Sequence, residues 1–287
     1  MTNIVTHSSR YWTIKKAVFD FFKYVFLIYT GIVVVTPIVV VFLSSFKTNQ
    51  EMMLGTPFAL PETWQLENYI HIFTVGRMPS AYMNTGILIL ISTVGSVVFG
   101  TMVAYVLSRF KFRFRNVVLF MYIIGLILPG ITIEISRFQI ISSLGLFNTI
   151  WAPIILYIGV DIIQIYLYLQ FANSIPYSLD ESAMIDGASF FKVYIKIFFP
   201  LLLPATATVA ILKFVGIFND YYTQFLYMPS VNLRTAATIL NTFQGARFNL
   251  ENYLSAAIML ITIPALILYF IFQRWIFSGI VMGSIKS

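Results

Sequence analysis

No cysteine occurs anywhere in the 287 residues. That excludes disulfides, iron–sulfur clusters and thiolate metal sites. Histidine is nearly missing as well: His7 and His71 stand far apart and cannot form a metal site by themselves. Charge is scarce. Asp, Glu, Lys and Arg together make up 10% of the chain, where a soluble domain carries about 25%. No Gly-x-x-x-x-Gly-Lys-Ser/Thr run is present, so the sequence offers no phosphate-cradling loop for a nucleotide.

What is there is apolar. Hydrophobic residues reach 59%, and the mean hydropathy is +0.86. The solvent of such a chain is mostly lipid. Crossing the hydrocarbon core takes roughly 20 apolar residues, and six stretches qualify: 24–46, 84–108, 116–136, 150–172, 201–222 and 254–274. An open strand would leave its backbone groups unpaired in lipid, so these are expected as helices. The expected fold class is an all-α integral membrane protein with six transmembrane helices. Pro37, Pro129, Pro153 and Pro264 fall in or beside the spans and are expected to mark kinks.

The net charge is +7, and its distribution sets orientation rather than nucleic-acid binding. Arg10, Lys15, Lys16 and Lys23 precede the first span, and Arg109, Lys111, Arg113 and Arg115 follow the second. Lys192 and Lys196 lie in the central loop, Arg274 and Lys286 at the tail. The alternate loops hold only Lys47, Arg77, Arg137, Arg234 and Arg247. Both termini and the central loop 173–200 are therefore expected in the cytoplasm, with membrane lipid as a partner of the basic segments. The expected organisation is a cytoplasmic N-terminal segment 1–23, a six-span domain 24–274 and a cytoplasmic tail 275–287. No small-residue cleavage site follows the first apolar run, so it does not read as a signal peptide. Residues 10–22 mix cations and aromatics and read either as an interfacial helix or as a flexible basic tail.

The central loop carries the most specific pattern. Glu181-Ser182-Ala183 is followed after three residues by Gly187, and after nine more by Ile197-x-Phe199-Pro200. This spacing resembles the EAA signature of ABC importer permeases, with Ser182 in place of the first Ala and Phe199 in place of Leu. Ser178 and Glu181 have capping-box spacing, so a helix is expected to begin near Leu179. Gly187 permits a bend, and Phe190, Phe191, Tyr194 and Phe198 form a second amphipathic stretch. Two short helices meeting at Gly187 are expected. In the family this loop docks into a cleft on the ATPase subunit. The resemblance therefore assigns ATPase coupling to Glu181, Ser182, Ala183, Asp186 and Gly187. The competing reading is that Glu181 merely caps its helix and Gly187 merely ends it.

Weaker pieces resemble the carbohydrate-uptake branch, the maltose-type six-span permeases. Asn84-Thr85 opens the second span and Ala104-Tyr105-x-Leu107-x-Arg109-Phe110 closes it. Leu144-Gly145-Leu146-Phe147-Asn148-Thr149 precedes the fourth span, and Phe218-Asn219-Asp220 stands near the end of the fifth. The ending Gly279-x-x-x-Gly283-x-x-Lys286 matches the family's tail, in which Lys286 would reach toward the ATPases. The resemblance implies the type I ABC importer transmembrane fold with cytoplasmic coupling helices, in the cytoplasmic (inner) membrane of a prokaryote. It implies a second permease subunit, a cytoplasmic ATPase pair and an extracytoplasmic solute-binding protein. It implies no enzyme activity and no cofactor in this chain, with ATP and Mg on the partner ATPase. Segments 47–83 and 225–253 are candidate contacts for the binding protein, or plain connectors.

Glu134, Asp161, Lys213 and Asp220 lie in or near spans, where ionised groups face a cavity, another helix or a partner. Asp161 and Lys213 sit at similar depth in antiparallel neighbours and form a candidate ion pair; the alternative is that each faces a cavity alone. Asn219, Asp220, Tyr221 and Glu134 are candidate pathway residues. An importer of a non-sugar solute, and an ion-coupled secondary transporter using the intramembrane acids, remain as alternatives. A non-transporting scaffold fits four intramembrane charges poorly.

Overall fold

The computed structural model describes residues 4–243 and 251–284. Lys286 and Arg247 lie outside the described residues. Every regular element among the described residues is helical, as the backbone demands of a chain this apolar. Three helices are each long and apolar enough to cross a membrane, and the number rises to six if each of three bent pairs counts as one span.

Two units make up the fold. The first runs up to Ile72 and includes Phe243–Leu260; the second holds Phe73–Thr242 and resumes at Ile261. The first unit opens with α1 (Ile4–Ser44), which stays continuous through Pro37. Its large apolar side chains from Val18 to Phe42 are exposed along the helix. Beyond it, α2 (Asn49–Leu54) starts at a formed capping box between Thr48 and Glu51. Glu51 also accepts from the backbone N–H of Glu62 at 2.6 Å, and these backbone hydrogen bonds hold its carboxyl below the ordinary range. Lys47 is buried and donates to the carbonyls of Thr56 and Pro57 at 3.0 and 3.4 Å. In α3 (Glu67–Thr74), the Asn68 amide binds the carbonyls of Ser45 and Lys47, while Phe46 packs against Trp64 and Tyr69. Segment 47–72 is thus a folded element with its own polar core.

The second unit is built around α4 (Met78–Arg109). Against it pack α7 (Trp151–Ile158), α8 (Ile162–Ser174) and α12 (Leu203–Asn219). Between α4 and α7 come α5 (Arg115–Ile127) and α6 (Gly130–Ser143), parted at Leu128-Pro129. Pro129 therefore does mark a break. Pro153 does not: it lies in the first turn of α7, where a missing N–H costs nothing, and the fourth span breaks instead at residues 159–161, where α7 and α8 meet at 42°. Pro264 lies inside α14 (Glu251–Ser284), which is unbroken.

After α8 the chain makes α9 (Tyr177–Ile185) and α10 (Phe190–Val193), then a π-helical turn over Tyr194–Phe198 and α11 (Phe199–Leu201). The run Phe190–Leu201 meets α12 at 73°. Past α12, α13 (Tyr221–Tyr227) is followed by short 3-10 turns. Tyr105, Tyr168, Tyr194 and Phe198 fill the core where α4, α8 and the π-helical turn converge. Thr101 and Tyr194 share a hydroxyl hydrogen bond of 2.8 Å there.

The α4–α8 seam requires a glycine. The Gln164 amide clasps Ser96, accepting from its hydroxyl at 2.9 Å and donating to its carbonyl at 2.7 Å. A Cβ on Gly100 would collide with that amide and crowd the Tyr168 ring at 3.0 Å, whereas a Cβ on Gly86 meets nothing within 4 Å. Gly100→Ala should therefore lower the thermal stability of the detergent-solubilised protein by about 1–3 kcal/mol, the usual penalty of overpacking. Gly86→Ala should be neutral or stabilise by up to ~1 kcal/mol, since glycine is unfavourable within a helix. Thermal denaturation of the two variants side by side checks both.

Candidate functional site

The central loop divides its residues between two faces. Along α9, Glu181, Ser182, Ile185 and Asp186 are exposed, with Ile185 at 86%, while Asp180 is buried at 2%. Ala183 is half-buried. An acidic and apolar face thus points away from the chain, and one acid points inward. That inward acid pairs with a residue that the sequence marks as a topology charge and as part of the run closing the second span: Arg109 Nε lies 2.6 Å from Asp180 Oδ2.

The helix start differs from expectation. Pro176 occupies the N-cap position, no side chain caps the helix, and Ser178 stands inside the first turn. The Ser178–Glu181 capping box does not form, because the φ that proline fixes starts the helix before Ser178 can act as cap. Glu181 is thereby left without a capping role. The helix ends on a Schellman motif: Gly187 N–H donates to Met184 O at 3.0 Å and Ala188 N–H to Ala183 O at 2.9 Å. Gly187 has φ +80° and a Cβ there would meet nothing within 4 Å. Within this chain, Gly187 is required for its conformation and not for packing. Ser189 then caps α10, so two helices do flank Gly187, the second continuing to Leu201.

A second site sits where α7, α8 and α12 of the same unit meet. Lys213 Nζ lies 3.0 Å from Asp161 Oδ2. Lys213 also donates to the carbonyls of Tyr157 and Gly159, at 3.4 and 3.1 Å, while Asp161 Oδ1 accepts the Gln164 N–H at 2.8 Å as the cap of α8. The cation thus serves the carbonyls at the end of α7 and the anion serves the start of α8, each favourable to the local helix dipole. Beside the pair opens a cavity of about 470 Å³, lined by Tyr157, Asp161, Lys213, Gly216 and Asp220 among others. The Asp161 side chain is half exposed.

The other candidate pathway residues scatter. Asp220 lines this cavity, accepts from Tyr157 Oη at 2.8 Å, and caps α13 through Thr223 N–H at 3.0 Å. Asn219 lines a separate cavity of about 200 Å³ with Phe218 and Tyr269, and bonds back to Val215 O. Tyr221 is exposed, stacks on Phe225 and donates to Asn241 at 2.9 Å. Glu134 is buried, with Arg137 at 3.0 Å and Tyr227 Oη at 2.8 Å on its two oxygens. It ties α6 to α13 and does not line the cavity: a carboxylate just past the first turn of an apolar helix finds its partners inside the fold before it finds water. Among the described residues, no cluster of three or more His, Asp or Glu has metal-binding geometry.

Residues 96–281 match the family described as binding-protein-dependent transport system inner membrane component. The chain belongs to this family. It is a multi-pass membrane permease by that membership and by its apolar helices. It is 30% identical to the diacetylchitobiose uptake system permease protein NgcG of Streptomyces coelicolor, over 91% of this chain and 87% of the relative. It is 32% identical to the multiple sugar-binding transport system permease protein MsmG of Streptococcus mutans, over 93% and 97%. In fold it is similar to a chain from the crystal structure of a bacterial ABC transporter involved in the import of the acidic polysaccharide alginate. The TM-score is 0.80 and the identity 22%, over 91% of this chain and 97% of that one.

Within this permease, three residues escape sequence reasoning. Asp180 is one position from the motif glutamate, and only its burial separates the two. Arg109 belongs to the run that closes the second span, and only the fold shows that it pairs with Asp180. Ile185 is an apolar residue in an apolar chain until its exposure is known. For the Asp161–Lys213 pair, Asp161→Asn and Lys213→Gln should each lower the yield of folded permease. Removing one member of this half-exposed pair, which also serves the helix ends, costs roughly 1–3 kcal/mol. The double variant should recover more than half of that loss, as read by size-exclusion yield and melting temperature.

Proposed function

We propose that the chain is one of two permease subunits of an ATP-driven importer of oligosaccharides. It forms the translocation pathway with a second permease and receives substrate from an extracytoplasmic solute-binding protein. The exposed face of α9 (Glu181, Ser182, Ile185, Asp186, with Ala183 and Gly187 beside it) seats on a cytoplasmic ATPase pair that carries ATP and Mg. ATP hydrolysis belongs to those partners, and the chain itself is a transport subunit. Both termini lie in the cytoplasm, and Lys286 extends toward the ATPases. The observation that carries this reading is an 86%-exposed isoleucine flanked by acids, on a helix pinned from behind by a buried ion pair. In a member of the permease family, such a face offers an apolar anchor and two acids to a partner. The sugar class follows from relatives whose names specify diacetylchitobiose and multiple sugars.

Purification of the tagged chain from native membranes should bring down an ATPase and a second permease. Glu181→Gln together with Gly187→Asn should leave the fold intact, because Glu181 is exposed and asparagine tolerates the left-handed backbone. The same variant should lose ATPase recovery roughly ten- to a hundredfold, the scale of a lost hydrogen bond to a charged group. A chain that purifies alone and supports uptake without ATP would instead establish ion-coupled transport.

A further inference from the structure

Arg109 ends α4, yet its guanidinium serves three other elements. Nε faces Asp180 in the first turn of α9. Nη2 donates to Ile175 O at 3.1 Å and Nη1 to Ala172 O at 3.5 Å, both at the end of α8. The guanidinium carbon stands 5.2 Å from the Phe198 ring of the π-helical turn and 5.7 Å from the Tyr177 ring of α9. Arginine's rigid fork of donors permits this division; a lysine's single nitrogen does not. Neither Asp180 carboxylate oxygen nor Arg109 Nε has a hydrogen-bond partner among the described residues, so the contact is an ion pair alone.

Stability does not call for charge here. Two buried charges lose their hydration, and an apolar pair of similar volume holds a fold as well or better. Nor does close packing join α9 to the end of α4. A cavity of about 550 Å³ adjoins the pair, lined by Tyr105, Arg109, Lys111, Asp180, Met184 and Phe190. What the pair supplies is a charge link, buried beside that cavity, from the first turn of α9 through the guanidinium to the last carbonyls of α8.

The far end of α8 is held by the same device. There Asp161 caps the helix and pairs with Lys213 of α12, whose ammonium serves the last carbonyls of α7. The 13 residues of α8 form a rod of about 20 Å, gripped by an ion pair at each end.

We propose that Arg109 and Asp180 are positioning residues that lock α9 to α8, so that a displacement of α9 is carried along α8 to the Asp161–Lys213 cavity. This rests on the reading of α9 as the ATPase-facing helix. Gly216 lines that cavity, and a Cβ there meets nothing within 4 Å. Gly216→Cys therefore places the chain's only thiol where the cavity can be sampled by maleimide labelling of the intact complex, with and without Mg-ATP.

The Gly216→Cys parent should change its labelling rate on ATP addition by roughly fivefold or more, the range of ordinary coupling between sites. Adding Arg109→Met/Asp180→Leu should keep ATPase recovery and ATP hydrolysis while the labelling rate stops responding to ATP. A response equal to the parent's overturns the proposal and leaves the pair a structural contact. Should the double substitution fail to assemble, Arg109→Lys decides: it keeps the charge and loses the fork, and the response should fall by at least about half, whereas an undiminished response overturns the proposal. Failure of the parent to bring down any ATPase refutes the functional reading itself, and the pair's role in coupling with it.

Discussion

A helix end leaves carbonyls and N–H groups without partners inside the helix, and this chain meets that constraint by the same means at two successive breaks. Between α7 and α8, Lys213 takes the outgoing carbonyls and Asp161 the incoming N–H. Between α8 and α9, Arg109 takes the outgoing carbonyls and faces Asp180 in the incoming turn. In each case a cation from a neighbouring helix stands at a dipole's negative end and an acid at the next one's positive end. Of these four residues Asp180 and Arg109 are buried, while Asp161 stays half exposed at its cavity. Through them α4, α8, α9 and α12 are linked by charge contacts as well as by apolar packing.

The arrangement explains how a loop exposed on one side and anchored on the other serves a permease. An unanchored helix pressed by a partner would yield locally. With Asp180 held from behind, the exposed row of Glu181, Ile185 and Asp186 is a surface with a fixed relation to α8. The Schellman ending at Gly187 closes the helix backbone and presents no side chain of its own at the bend. Membership of the binding-protein-dependent permease family and relatives named for sugar uptake give this surface its functional setting.

Much of this was legible in the sequence where the signal was local or one-dimensional. Hydropathy located the apolar helices, the spacing from Glu181 to Pro200 marked the loop, and depth matching brought Asp161 to Lys213. What escaped was decided by tertiary context. Ser178 and Glu181 have a cap's spacing, but Pro176 starts the helix first. Glu134 resembled the other intramembrane acids, yet Arg137 and Tyr227 enclose it. Asn219, Asp220 and Tyr221 are consecutive and still turn toward three different surroundings, because α12 ends and α13 begins between them. Arg109 stood out only as part of the run that closes the second span; that it, and not Lys111, Arg113 or Arg115, reaches the end of α8 is decided by the fold.

The most direct test of the account is chemical crosslinking from position 185. The chain has no cysteine of its own, so Ile185→Cys gives one defined thiol at the centre of the exposed face of α9. A short thiol-directed crosslinker applied to native membranes should join this position to one protein, and that protein should carry a phosphate-cradling nucleotide loop. Crosslinking that yields no adduct, or joins position 185 only to lipid or to a second copy of this chain, would contradict the assignment of α9 as the ATPase-facing element.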